Sequence, residues 1–167
     1  MTKWQVNFKM AEAKLSYEQF LEAVDAENRA YMQELHDYML SNGCKVTFEE
    51  KKTSLLGSYK YAKKSAINVL QKKQGLVVRI YGENIGEYLD FLNTLPQEMV
   101  QAIEGAGKCK RLADNTCNPK CIGYDFTIGS EHFQKCRYNC FEFLVTEESG
   151  PYIRAFVENE IKARTAA

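Results

Sequence analysis

Five of the six cysteines fall in one stretch: Cys109, Cys117, Cys121, Cys136 and Cys140. Their spacing is C-x7-C-x3-C-x14-C-x3-C, with Asn118-Pro119 between the second and third thiols. Lys108, Lys110, Arg111, Lys120, Lys135 and Arg137 interleave with them. A thiophilic metal takes about four thiolates at the corners of a tetrahedron, and two closely spaced pairs can supply them. The set expected to hold zinc is Cys109, Cys117, Cys121 and Cys136. In a rival set Cys140 replaces Cys109, and His132, four residues before Cys136, is a further substitute. The basic neighbours would offset the negative charge of a thiolate site and favour ionised thiols. The same thiols can also be read as a redox pair, or as reduced core residues that behave as small hydrophobes. Cys44, outside the cluster at the head of a strand, fits the last of these.

The remaining chemistry is weaker. Two histidines, His36 and His132, do not assemble a Ser/His/Asp or Cys/His/Asn arrangement. Gly105-Ala106-Gly107 reads as a helix stop, not a phosphate loop. Asp125, Glu131, Glu142, Glu147 and Glu148 lack the spacing of paired catalytic carboxylates. Tyr59, Arg79, Tyr81, Tyr124 and Arg137 could line a pocket for a planar or anionic ligand, against the plainer reading of core rings and solvated arginines. His36 is expected on the solvated side of its helix, and His132 at the surface beside the Gly129-Ser130 turn.

Lys plus Arg and Asp plus Glu both number 22, so the formal charge is zero. That balance argues against a general nucleic-acid binder, whose affinity rests on phosphate contacts, while leaving a local basic patch open. With hydrophobic residues at 45% and charged residues at 26%, the composition is that of an ordinary soluble protein. No apolar run has the length of an export signal or a membrane span, so a cytoplasmic protein is expected. Thiols in a reducing compartment speak against a disulfide scaffold.

The elements that must position these residues predict an α+β fold: an antiparallel sheet of about six strands with helices packed on it. Trp4, Phe8 and Met10 suit an irregular arm or a short helix. Ser16 and Gln19 form a capping box, and the apolar spacing from Phe20 to Met39 predicts one helix of about 25 residues, stopped at Asn42-Gly43. Strands are expected at 44–49, 56–61, 66–72 and 76–81, the last two joined by a hairpin turn at Lys73-Gln74-Gly75. Helices are expected at 85–93 and from Pro96 to Gly105, then an irregular stretch to Ile122. Strands follow at 124–128 and 138–145. Ser149 opens a final helix, with Arg154–Glu158, Glu158–Lys162 and Glu160–Arg164 as charge pairs on its outer side. A faint repeat relates 44–95 to 109–165 within a single domain of residues 1–167.

The run Cys109-Lys110-Arg111-Leu112, then Cys117-Asn118-Pro119-Lys120-Cys121, Gly123-Tyr124-Asp125-Phe126 and Lys135-Cys136-Arg137-Tyr138 through Cys140-Phe141 resembles an uncharacterised bacterial family of unknown function. That resemblance implies a small cytoplasmic α+β protein and carries no activity with it. The residues themselves favour a non-enzymatic binding or interaction protein with a structural Cys-rich zinc site, its partner a small ligand or a protein. A thiol redox or metal-handling protein using the same cysteines is the alternative.

Overall fold

The computed structural model describes residues 13–121 and 123–166, so the arm expected around Trp4, Phe8 and Met10 lies outside the described residues. The fold is α+β, and the chain divides into two compact units between Val78 and Arg79.

The first unit opens with β1 (Lys14–Leu15) and α1 (Tyr17–Ala23). The capping box is present: Ser16 Oγ accepts from Gln19 N, and Gln19 Oε1 accepts from Ser16 N. The single long helix predicted here is broken. Val24 and Asp25 are extended, a 3-10 turn covers Ala26–Asn28, and α2 runs over Arg29–Ser41. No proline or glycine marks the break. Arg29 holds it instead, donating to the end carbonyls of α1 at Val24 (3.0 Å) and Glu22 (2.8 Å), as cationic side chains do at helix C-termini.

A meander follows: β2 (Lys45–Glu50), β3 (Leu55–Tyr61), β4 (Lys64–Lys72) and β5 (Gly75–Ile80). Ala62 and Lys63 both take positive φ between β3 and β4, the geometry of a two-residue hairpin whose twist matches its strands. Phe48 stands opposite Gly57, and a Cβ at Gly57 would lie 2.7 Å from both Phe48 and Val69 side chains. The glycine therefore lets the Phe48 ring lie flat on the sheet.

His36, expected in solvent, is buried. Its Nδ1 shares a hydrogen bond of 2.8 Å with the Tyr59 hydroxyl, and its ring stacks on Tyr17 with centroids 3.7 Å apart. Helical periodicity leaves this position at the margin of the apolar stripe, and the wholly buried Tyr59 draws it in. Burial lowers the His36 pKa, partly opposed by Asp37 and Glu18.

The second unit holds the last residues of β5, a 3-10 turn at Ile85–Glu87, α3 (Leu89–Leu92), α4 (Gln97–Glu104), α5 (Lys110–Asp114), β6 (Tyr124–Ile128), β7 (Glu131–Lys135), β8 (Glu142–Leu144) and α6 (Ser149–Ala166). Ile80 N donates to Phe141 O. The strands order as β1-β2-β3-β4-β5-β8, and β6 and β7 form a separate two-stranded sheet. The helix expected at 85–93 is thus a 3-10 turn and one α-helical turn, and the strand expected at 138–145 is confined to 142–144. β7 was not foreseen. Phe126, Phe133, Phe141, Phe143 and Phe156 form an aromatic core, with Phe141 and Phe156 centroids 4.9 Å apart.

Glu160 corrects another expectation. Placed with Arg164 on the outer side of the last helix, it is 1% exposed. It accepts from Asn84 N (3.1 Å), Asn84 Nδ2 (2.9 Å), Tyr88 Oη and Arg164 Nε (2.7 Å). Arg164 also donates to the Tyr81 carbonyl at 2.9 Å. Four donors on one buried carboxylate tie the turn after β5 to α6.

Two outcomes follow from these buried groups. Glu160→Ala strands the Arg164 charge and should lower unfolding free energy by about 3–5 kcal/mol in urea titrations. Arg154→Ala, whose pair with Glu158 is partly exposed, should cost less than about 1 kcal/mol. For His36, the folded state prefers the neutral ring, so the unfolded chain takes up the proton first. Stability should be full above the unfolded value of 6.5 and fall as pH drops below it. Thermal melts of His36→Gln, which cannot titrate there, should show a shallower loss over that window.

Candidate functional site around Cys121

The thiols are carried on a backbone frame at the end of β7. Lys108 bridges Lys135 antiparallel. Cys109 N donates to Gln134 O at 3.0 Å and Cys136 N to Gly107 O at 2.9 Å. Cys109 and Cys136 are therefore diagonal neighbours on adjacent segments, with Cα atoms roughly 7–8 Å apart by sheet geometry. Lys135 Nζ fixes the approach, donating at 2.8 Å to each of the Glu104 and Ala106 carbonyls that end α4.

Cys109 opens α5, its carbonyl accepting from Ala113 N at 2.9 Å. The helix stops at Asn115, in left-handed conformation at φ 58°, a state Asn tolerates better than most residues. Asp114 Oδ1 then accepts from the Thr116 backbone and hydroxyl. Asn118 Oδ1 accepts from Lys120 N, and Asn118 O from Cys121 N, both at 3.0 Å. Cys117 and Cys121 bracket this Asx-type turn. The stretch expected to be irregular thus has local order of its own, carried by short polar side chains.

Cys109 is 4% exposed, and its Sγ lies against Gly123, where an added Cβ would come within 2.1 Å. Cys121 and Cys136 are half-buried and Cys117 is exposed. Burial raises the Cys121 pKa, Cys117 raises it further, Arg137 opposes, and Cys109 and Cys136 add to the rise. Cys117, Cys109 and Cys136 therefore lie close enough to Cys121 to bear on its charge. They are not closed to coordination distance: among the described residues, no group of three or more His, Cys, Asp or Glu could hold a metal ion as it stands.

Of the alternate ligands, Cys140 lies one turn on from Cys136, its N donating to Cys136 O at 3.1 Å, with Cys136 near enough to act on its thiol, and His132 stands apart. Cys140 is a buried thiol in the turn before β8, its pKa pushed up by burial. His132 is exposed on β7 and bonded to Asp125, whose pKa is lowered by that bond and by one from Gln134. Four residues of extended chain put His132 about 13 Å from Cys136. Cys44 is buried in the first unit. Among the described residues no disulfide forms.

Four of the five candidate ligand-binding residues share one neighbourhood. Arg137 lies over the rings of Tyr81 (5.8 Å) and Tyr138 (5.5 Å), and it pairs with Glu83. Arg79 pairs with Glu142 at 3.2 Å; burial works against its charge, but Glu142 and Tyr81 outweigh this and raise its pKa. Tyr124 is buried and stacked on Phe141 at 5.2 Å, and burial raises its pKa, with Arg137 opposing. Tyr59, buried against His36 in the first unit, is occupied there. The two carboxylates were missed, because nothing in their local spacing ties Glu83 or Glu142 to a distant arginine. A separate pocket of about 470 Å³ is lined by Glu104, Lys108, Glu131, His132, Gln134 and Lys135 among others.

Among the described residues no helix is long and apolar enough to cross a membrane. No protein-family model, curated protein or solved structure matches the chain.

Proposed function

We propose that the chain is a non-enzymatic binding protein of the cytoplasm, in which Cys109, Cys117, Cys121 and Cys136 take a zinc ion that clasps the loop against the end of β7. One observation carries this reading: besides burial, Cys117, Cys109 and Cys136 all act on Cys121 to raise its pKa, so the three lie around it. A divalent cation would offset that effect, because the Cys121 thiolate would then face positive charge. Cys109 and Cys136 are held by backbone pairing. The hydrogen bonds that shape the Cys117–Cys121 turn run within residues 110–121, so this turn is the part that would move inward. Gly123 would act as a positioning residue, leaving the space that Cys109 Sγ occupies. The clasped loop would then present a surface to a small ligand or a protein.

A second reading has its own support. Exposed Cys117 and half-buried Cys121 share one tight turn, an arrangement open to thiol oxidation or to passing a metal on.

Elemental analysis and thiol titration of anaerobically purified protein separate the two. The zinc reading expects about one zinc per chain and about four thiols slow to react until a chelator is added. Cys117→Ser should lose the metal, Cys140→Ser should keep it, and Gly123→Ala should weaken binding roughly ten-fold or more by displacing Cys109. Metal-free protein whose Cys117 and Cys121 cycle to a disulfide favours the second reading. Metal-free protein with inert thiols would sink both.

A further inference from the structure

The hairpin of β6 and β7 leaves part of one edge open. β7 pairs with β6 through Ile128 with Glu131, Phe126 with Phe133 and Tyr124 with Lys135. On its other side Gln134 O accepts from Cys109 N, and Cys136 N donates to Gly107 O. Backbone groups alternate between the two sides of an antiparallel strand. The N–H and C=O of His132 and the N–H of Gln134 therefore also face away from β6. The flanking segment does not follow β7 that far. It turns into α5 at Cys109, whose carbonyl accepts from Ala113 N. Among the described residues no backbone group pairs with His132 or with the Gln134 N–H on that side.

The pocket of about 470 Å³ lies along this edge, since all of β7 lines it together with Glu104, Lys108 and Ala113. It carries two lysines and two glutamates. Lys108 stands across from Lys135. Lys135 keeps a third N–H beyond the two given to the Glu104 and Ala106 carbonyls. Glu104, Glu131 and Lys108 are exposed. Among the described residues none of these four charges has an ion-pair partner.

A polyanion here would meet two carboxylates, and a polyamine would meet two ammonium groups. A ligand with one charge of each sign and peptide groups between them fits both features. Its amides complete the edge, and its ends face opposite charges. Glu131 and Lys135 are four residues apart, roughly 13 Å along the strand, and an extended tripeptide spans about 10 Å. We propose that the open edge of β7 is a binding site for short free peptides of about two or three residues, held by strand addition. The inference does not rest on the zinc reading, because no cysteine lines the pocket.

The test is an NMR titration of the isotope-labelled full chain, as purified, with trialanine. The backbone amide signals of His132 and Gln134 should shift, with a Kd of about 0.3 mM by the binding energy per atom usual for small ligands. Trialanine acetylated at its amino end and amidated at its carboxyl end should bind about five-fold more weakly, because both ion pairs are lost. Trialanine methylated on both amide nitrogens cannot donate to the His132 carbonyl and should bind about ten-fold more weakly. Lys108→Glu should weaken trialanine about five-fold and leave the end-blocked peptide within about two-fold. No shift of those two amides at about 10 mM trialanine would overturn the proposal. So would an end-blocked peptide that binds as tightly as trialanine, the result expected for a segment inside a longer chain, or a methylated one that does, which would remove strand pairing.

Discussion

One ammonium group fixes the geometry on which the cysteine region depends. Lys135 is buried at the end of β7, and its Nζ donates to the Glu104 and Ala106 carbonyls. A helix C-terminus leaves carbonyls unpaired and carries partial negative charge. A lysine aimed there satisfies both, and its own charge is compensated without a carboxylate. The chain leaving α4 is thereby laid along β7. Lys108 then meets Lys135, Cys109 bonds to Gln134, and Cys136 bonds to Gly107. Without the Lys135 side-chain bonds the frame shared by Cys109 and Cys136 would rest on the backbone pairing alone.

The sequence shows local rules well and long-range polar pairing poorly. The capping box at Ser16, the hairpins of the meander and proline at the opening of α4 follow from neighbours in the chain, and each is present. The break between α1 and α2 was hidden because Arg29 caps from beyond it. His36 and Glu160 were assigned to solvent because helical periodicity says which residues share a face, not which distant hydroxyl or arginine will meet them. β7 was missed because Phe133 is its one plainly apolar residue, and Lys135 buries its stem while bonding carbonyls. A lysine in such a place reads as solvent-facing until its acceptors are known.

For the candidate site the same division holds. Spacing names Cys109, Cys117, Cys121 and Cys136 as a candidate set but not their separation, and among the described residues no three His, Cys, Asp or Glu stand close enough to hold a metal ion. That separation depends on where the Asx turn is placed, which local spacing does not state. Nor does spacing give the partners of the arginines: Arg79 pairs with Glu142 and Arg137 with Glu83, acids far along the chain.

A metal and the loop that would hold it bear on each other through charge. Four thiolates around Zn²⁺ would add about two negative charges to a loop with four basic side chains and one acid. Metal would therefore order the loop and at the same time discharge much of its positive field. A screened charged partner feels such a field only within about a Debye length, roughly 8–10 Å. An ordered loop with a weaker field favours contacts made by shape, and a metal-free loop favours contacts made by charge. The balance between them is set by how tightly the Cys117–Cys121 turn is drawn toward Cys109 and Cys136, the same displacement that separates the present geometry from a coordination sphere.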